Sequence, residues 1–106
     1  MRRNKIAAAG PLAVLFIVGQ AAWAHSPICN CYDNGDGSVT CEGGFSDGSS
    51  AAGVAIRIVD ARDRVLIDAK MGEDGTFSFA KPDQEFHVVF DAGQSHLVTI
   101  FGEDIE

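Results

Sequence analysis

The chain has 106 residues, 46% of them hydrophobic, and a formal charge of −7. Its basic residues are unevenly placed: Arg2, Arg3 and Lys5 open the chain, and only Arg57, Arg62, Arg64, Lys70 and Lys81 lie beyond residue 24. A carboxylate surplus with no basic stripe excludes a surface for phosphate backbones, so nucleic acid is not an expected partner.

The three early cations precede an apolar run, Leu12 to Val18, extended upstream by Ile6 to Ala9. Ala22-Trp23-Ala24 then places small residues at the two positions a signal peptidase inspects. This pattern predicts a cleaved secretory signal over 1–24, with His25 as the new N-terminus and the periplasm or the exterior as destination. The competing reading is an uncleaved anchor. Gly10-Pro11 and Gly19-Gln20 bound the run, which falls short of the roughly 20 apolar residues a spanning helix needs. No membrane span is therefore expected after cleavage.

The remainder of the chain, 25–106, carries the five basic residues named above against all fifteen acidic ones, a formal charge of −10. One domain of that size sits near the lower limit for a core unaided by a disulfide, a metal or a partner. Two regions are expected within it: a Cys-containing hairpin over 25–52 and a β-sandwich core over 53–106. Cys29, Cys31 and Cys41 all fall in the first, and an oxidising compartment permits one bond among them. Cysteines two apart close too small a ring for an easy bridge, so Cys41 is expected to join either Cys29 or Cys31.

Asp33-Asn34-Gly35-Asp36-Gly37 reads as the turn of that hairpin, because these residue types tolerate left-handed backbone. A calcium loop fails on spacing: counted from Asp33, glycines fall where the third and fifth oxygen ligands belong. Beyond Gly53, Val54, Ile56 and Ile58 alternate with Ala55, Arg57 and Val59. A turn at Asp60 to Asp63 leads into Val65-Leu66-Ile67. Glu73-Asp74-Gly75 turns the chain into Thr76-Phe77-Ser78-Phe79, and Lys81-Pro82-Asp83 breaks it again. Phe86, Val88 and Phe90 point opposite to Glu85, His87, Val89 and Asp91, and a last strand covers His96 to Phe101. No helical period persists, which predicts an all-β antiparallel sandwich. Its expected core is Phe77, Phe79, Phe86, Phe90, Val54, Ile56, Ile58, Val88 and Val98.

Gly53-Val54-Ala55-Ile56-Arg57-Ile58-Val59-Asp60, Asp74 to Phe79, and Phe86 to Phe90 together resemble the carboxypeptidase-regulatory-like, transthyretin-like β-sandwich family. His25-Ser26-Pro27 with Asp91 to His96 further resembles small exported accessory components of nickel or cobalt uptake systems. That resemblance implies a small sandwich serving a membrane metal transporter. Since one fold hosts many roles, the function has to be argued from the site.

Cleavage after Ala24 would give His25 an imidazole and a free α-amine, two nitrogens able to chelate one ion. Such donors suit nickel, cobalt, copper and zinc, and do not select magnesium or calcium. Pro27 has no N–H, which stops an ion from recruiting successive deprotonated amides. Further ligands must then come from the fold. His96 is the first candidate, on a small-residue loop at the mouth of a strand; Asp91 is a third ligand or an orienting carboxylate; His87, facing outward, is the weakest. Cys29 and Cys31 offer the alternative of soft thiolates, although the spacing does not match a zinc ribbon. No nucleophile elbow and no Cys-x-x-Cys is present, so an enzyme is not expected. The expected function is a metal-binding accessory protein, nickel or cobalt first and copper second. The alternative is a structural or interaction module that docks to another envelope protein and has no metal role.

Overall fold

Alternating apolar and polar side chains lay down seven strands: β1 Pro27–Asp33, β2 Ser38–Phe45, β3 Ala55–Asp60, β4 Val65–Lys70, β5 Thr76–Ala80, β6 Phe86–Asp91 and β7 Leu97–Phe101. A 3-10 turn, Gly102–Asp104, follows. The structure is a computed structural model that describes residues 25–106; the expected signal segment, 1–24, lies outside the described residues. All pairings are antiparallel and form two sheets, β1-β2-β5 and β4-β3-β6-β7. The protein is a small antiparallel β-sandwich, and the Cys-containing hairpin supplies two of the three strands in one of its layers.

Burial follows the period of the strands. In β6 Phe86, Val88 and Phe90 are buried while His87, Val89 and Asp91 are partly exposed, as a strand with one face on a core requires. Ile56, Ile58 and Phe79 join them, with Phe77, Val54 and Val98 packed at the margin. Aromatic rings stitch the two layers: Phe45 to Phe90 with centroids 6.5 Å apart, and Phe79 edge-on to Phe86 at 6.2 Å. Cys29, Val39, Cys41, Ala51, Met71 and Ile105 complete the core. Val59 faces outward with Arg57 as expected and is nonetheless buried. It lies directly opposite half-buried His87 on β6 and outside the core cluster, while Asp60 shares the inner face of Phe86 and the register against β4 shifts between Ile58 and Val59.

Asp60 is the single buried charged residue among those described, and its oxygens are matched. It accepts the backbone N–H groups of Arg62 and Arg64 and the Arg64 Nε at 2.8–2.9 Å, closing the β3–β4 turn. The same device recurs. Asp33, Asp36, Asp47, Asp74 and Asp91 each accept the backbone N–H two residues ahead, a self-closing turn that these side chains form readily. Asp33 also pairs with Lys81 at 3.0 Å, so the segment that mimics a calcium loop spends its carboxylates on its own turn and on a cation.

Hydrogen bonds from these turns hold all six carboxyls below the ordinary aspartate range. A lowered folded-state value means that the unfolded chain takes up protons first on acidification. The stabilisation is complete above the unfolded value, about 4, and is lost as pH falls through the lower folded values. Thermal melts should therefore give a melting temperature that drops steeply below about pH 4. An unchanged melting temperature down to about pH 2 would contradict this account.

Candidate metal centre

The first residue of the expected mature chain is tied down. Ser26 and Ser46 exchange bonds, Ser26 N to Ser46 Oγ at 3.0 Å and Ser46 N to Ser26 O at 2.9 Å, prolonging the β1–β2 ladder beyond its last pair, Pro27 with Phe45. The same register carried two residues further sets His25 across from Asp47, and there His25 Nδ1 meets Asp47 Oδ2. Asp47 is itself oriented. Its Oδ1 accepts the Ser49 backbone N–H at 3.0 Å and the Ser49 hydroxyl at 2.7 Å, leaving Oδ2 for the imidazole. Those Ser49 bonds, with the nearby His25, keep the carboxyl ionised well below neutrality. His25 remains largely exposed, so an ion can reach it.

Sequence reasoning missed Asp47. Its signal was the register: once a hairpin bond pairs Cys31 with Cys41, Asp47 falls opposite His25. The chemistry is that of a carboxylate and an imidazole nitrogen facing one another at an open edge. A transition ion could bridge the pair, or the carboxylate could orient the ring from behind.

His96 lies at the same end of the sandwich. Pro27 pairs with Phe45, the Phe45 ring packs on Phe90, and Phe90 and Asp91 pair with Val98 and Leu97, just after His96. His96 is exposed on a tight turn, its N–H bonded to Gly93 O at 2.8 Å, with Gly93, Gln94 and Ser95 all in left-handed backbone. Asp91 is occupied otherwise. One oxygen accepts the Gly93 N–H and the other accepts Arg57 Nη1 at 3.1 Å, bonds that lower its pKa and make it a brace for the β6–β7 turn. To ligate an ion it would have to give up Arg57.

His87 stands at the far end of the same strand, opposite Phe101, four residues from Asp91. At strand rise that is about 13 Å, so His87 and the Asp91 end do not share an ion. His87 is half-buried beside the Phe101 ring, with Nε2 3.6 Å from Asp63 Oδ1, and borders an open groove of about 560 Å³ that also includes Lys81, Glu85 and Gly102.

The tightest group of ligand-type side chains among the described residues is sulfur. Cys31 and Cys41 are directly opposed on β1 and β2 and form a disulfide. Cys29 faces Gly43 and keeps a free, buried thiol, so the pairing left open by sequence is Cys31–Cys41. All three sulfurs lie within 4.8 Å of one another. Burial pushes the Cys29 thiol up to about 11, which keeps it protonated and poorly nucleophilic at neutral pH.

Comparison with known proteins finds no matching family model, no similar curated sequence and no similar solved structure. Function therefore has to be argued from these residues.

Proposed function

We propose that the chain is an exported transition-metal-binding module, nickel or cobalt first and copper second, that captures an ion at His25 for a membrane transporter or another envelope protein. The observation carrying this reading is the opposition of His25 and Asp47 at the start of the described residues. After cleavage at Ala24, the α-amine and imidazole would chelate one ion, and Asp47 would add an oxygen or hold the ring. His96, at the same end, is the next donor, and water or the receiving protein would complete the shell, which suits an ion that has to be passed on. No helix among the described residues is long and apolar enough to cross a membrane.

Calorimetric titration of the chain beginning at His25, with nickel, cobalt, copper and zinc, tests the proposal. One extra residue before His25 should remove most of the affinity, and Asp47→Asn should weaken binding by roughly tenfold. Binding should also weaken on acidification, because the nitrogen ligands must be deprotonated. Equal affinity with and without the added residue would place the ion elsewhere.

A structural or interaction role is the second reading, favoured by the apolar side chains that edge strand β7 leaves exposed, Leu97 and Phe101. An unpaired edge of that kind can accept a strand from an envelope partner. Absence of metal binding in both forms of the N-terminus would select it.

A further inference from the structure

We propose that Cys29, Cys31 and Cys41 form a second, redox-gated metal site that takes up one monovalent copper ion when the Cys31–Cys41 disulfide is reduced. It is independent of the His25 site.

Geometry is the first support. A metal–thiolate bond of about 2.3 Å places three sulfurs around a trigonal ion about 4 Å apart. The three sulfurs already lie within 4.8 Å of one another, on two strands held in register by their own ladder. Once the bond between Cys31 and Cys41 opens, side-chain rotation alone brings the set to that spacing. Cys29 and Cys41 are buried and Cys31 is partly exposed, which gives the ion a way in beside an otherwise closed core.

The donor chemistry selects the ion. No histidine or carboxylate belongs to the cluster among the described residues. A thioether packs on the same face: a methyl built on Gly43, directly opposite Cys29, would lie 3.2 Å from Cε of buried Met71. An all-sulfur set with a thioether beside it favours monovalent copper, whereas structural zinc asks for four strong ligands in a tetrahedron. Cys29 packs in the core and takes part in no disulfide. It is buried, unbonded and carries a polarisable group into the core next to two more sulfurs.

The reaction balances with a dithiol reductant. Two electrons and two protons pass to Cys31 and Cys41, the S–S bond breaks, and the reductant closes its own disulfide. Monovalent copper then displaces thiol protons, including that of Cys29, without changing oxidation state. Because thiolates rather than thiols hold the ion, copper affinity should rise with pH.

The test reduces the protein with dithiothreitol, removes the reagent under anaerobic conditions, and titrates monovalent copper against a chromophoric chelator. With one extra residue placed before His25 to block that site, one ion per reduced chain is expected and none per oxidised chain, with X-ray absorption showing sulfur ligands alone. Cys29→Ser, which keeps the disulfide and can be checked for its fold in the oxidised state, should lower the affinity of the reduced chain by roughly tenfold to a hundredfold. Circular dichroism guards against a loss of fold on reduction: copper should keep or restore the strand signal at one equivalent. Equal uptake by the oxidised chain, an unaffected Cys29→Ser variant, nitrogen or oxygen ligands, tighter binding of zinc, or uptake by a chain that stays unfolded would each overturn the proposal. Blocking the amine of His25 should leave this binding unchanged.

Discussion

Phe90→Ala is expected to destabilise the domain by about 3–5 kcal/mol, the usual cost of truncating a buried phenylalanine. The ring is fully buried on β6, packs against Phe45 from the other sheet, and closes over Gly43, where an added methyl would lie 2.7 Å from its Cε1. Truncation thus opens a cavity at the point where the two layers are pinned and where β2 has dispensed with a side chain to admit the ring. Native domains are stable by only about 5–15 kcal/mol in all, with small ones at the low end, so the variant should be close to unfolded at room temperature. Urea titration provides the measurement. Phe101 is the control, a phenylalanine that is 54% exposed. Its truncation, Phe101→Ala, should shift stability by about 0.5 kcal/mol or less, as for most surface substitutions. Equal midpoints for the two variants would refute this description of the core.

Removing the disulfide ranks next. Cys31 and Cys41 are separated by 10 in sequence. Closing a loop of that length restrains the unfolded chain by about 2–3 kcal/mol. The double variant Cys31→Ala, Cys41→Ala should therefore melt roughly 10–20 °C lower than the oxidised protein. Alanine is the right replacement at position 41, which is fully buried, since a serine hydroxyl would be left there without a partner. Identical melting curves would mean that the cross-strand bond contributes nothing beyond the hairpin's own ladder and turn.

Much of the fold was legible because burial on one face writes itself into alternation. Phe86, Val88 and Phe90 could be assigned inward from sequence, and the Asp-Gly turns from their conformational needs. The burial of Val59 could not be read, because it faces outward as its period says and is covered there by neighbouring strands, and what covers an outer face leaves no mark in the strand itself. Met71 and Ile105 were missed for a related reason. Both lie outside the strands, and a loop residue reaches the core by the path of its chain rather than by a period. The metal centre shows the same division. His25 and His96 were legible as residue types, but Asp47 depended on knowing which cysteine Cys41 meets: a Cys29–Cys41 register would have placed Phe45 opposite His25. Asp91, legible as a ligand type, turns out to be engaged by Arg57 and its own turn, a contact between strands that sequence spacing does not reveal.

The strand pairing divides the molecule into three hairpins, β1–β2, β3–β4 and β6–β7, each closed by a local turn, and one strand, β5, that belongs to none. Its sole ladder is to β2, from which the whole β3–β4 hairpin separates it along the chain. That pairing carries a loop-closure entropy that no hairpin turn offsets. The hairpins can form early and separately, while the three-stranded layer waits on the capture of Thr76–Ala80. Nascent chains caught before that step would present the inner edge of β2 unpaired, making this short segment the safeguard against self-association during folding.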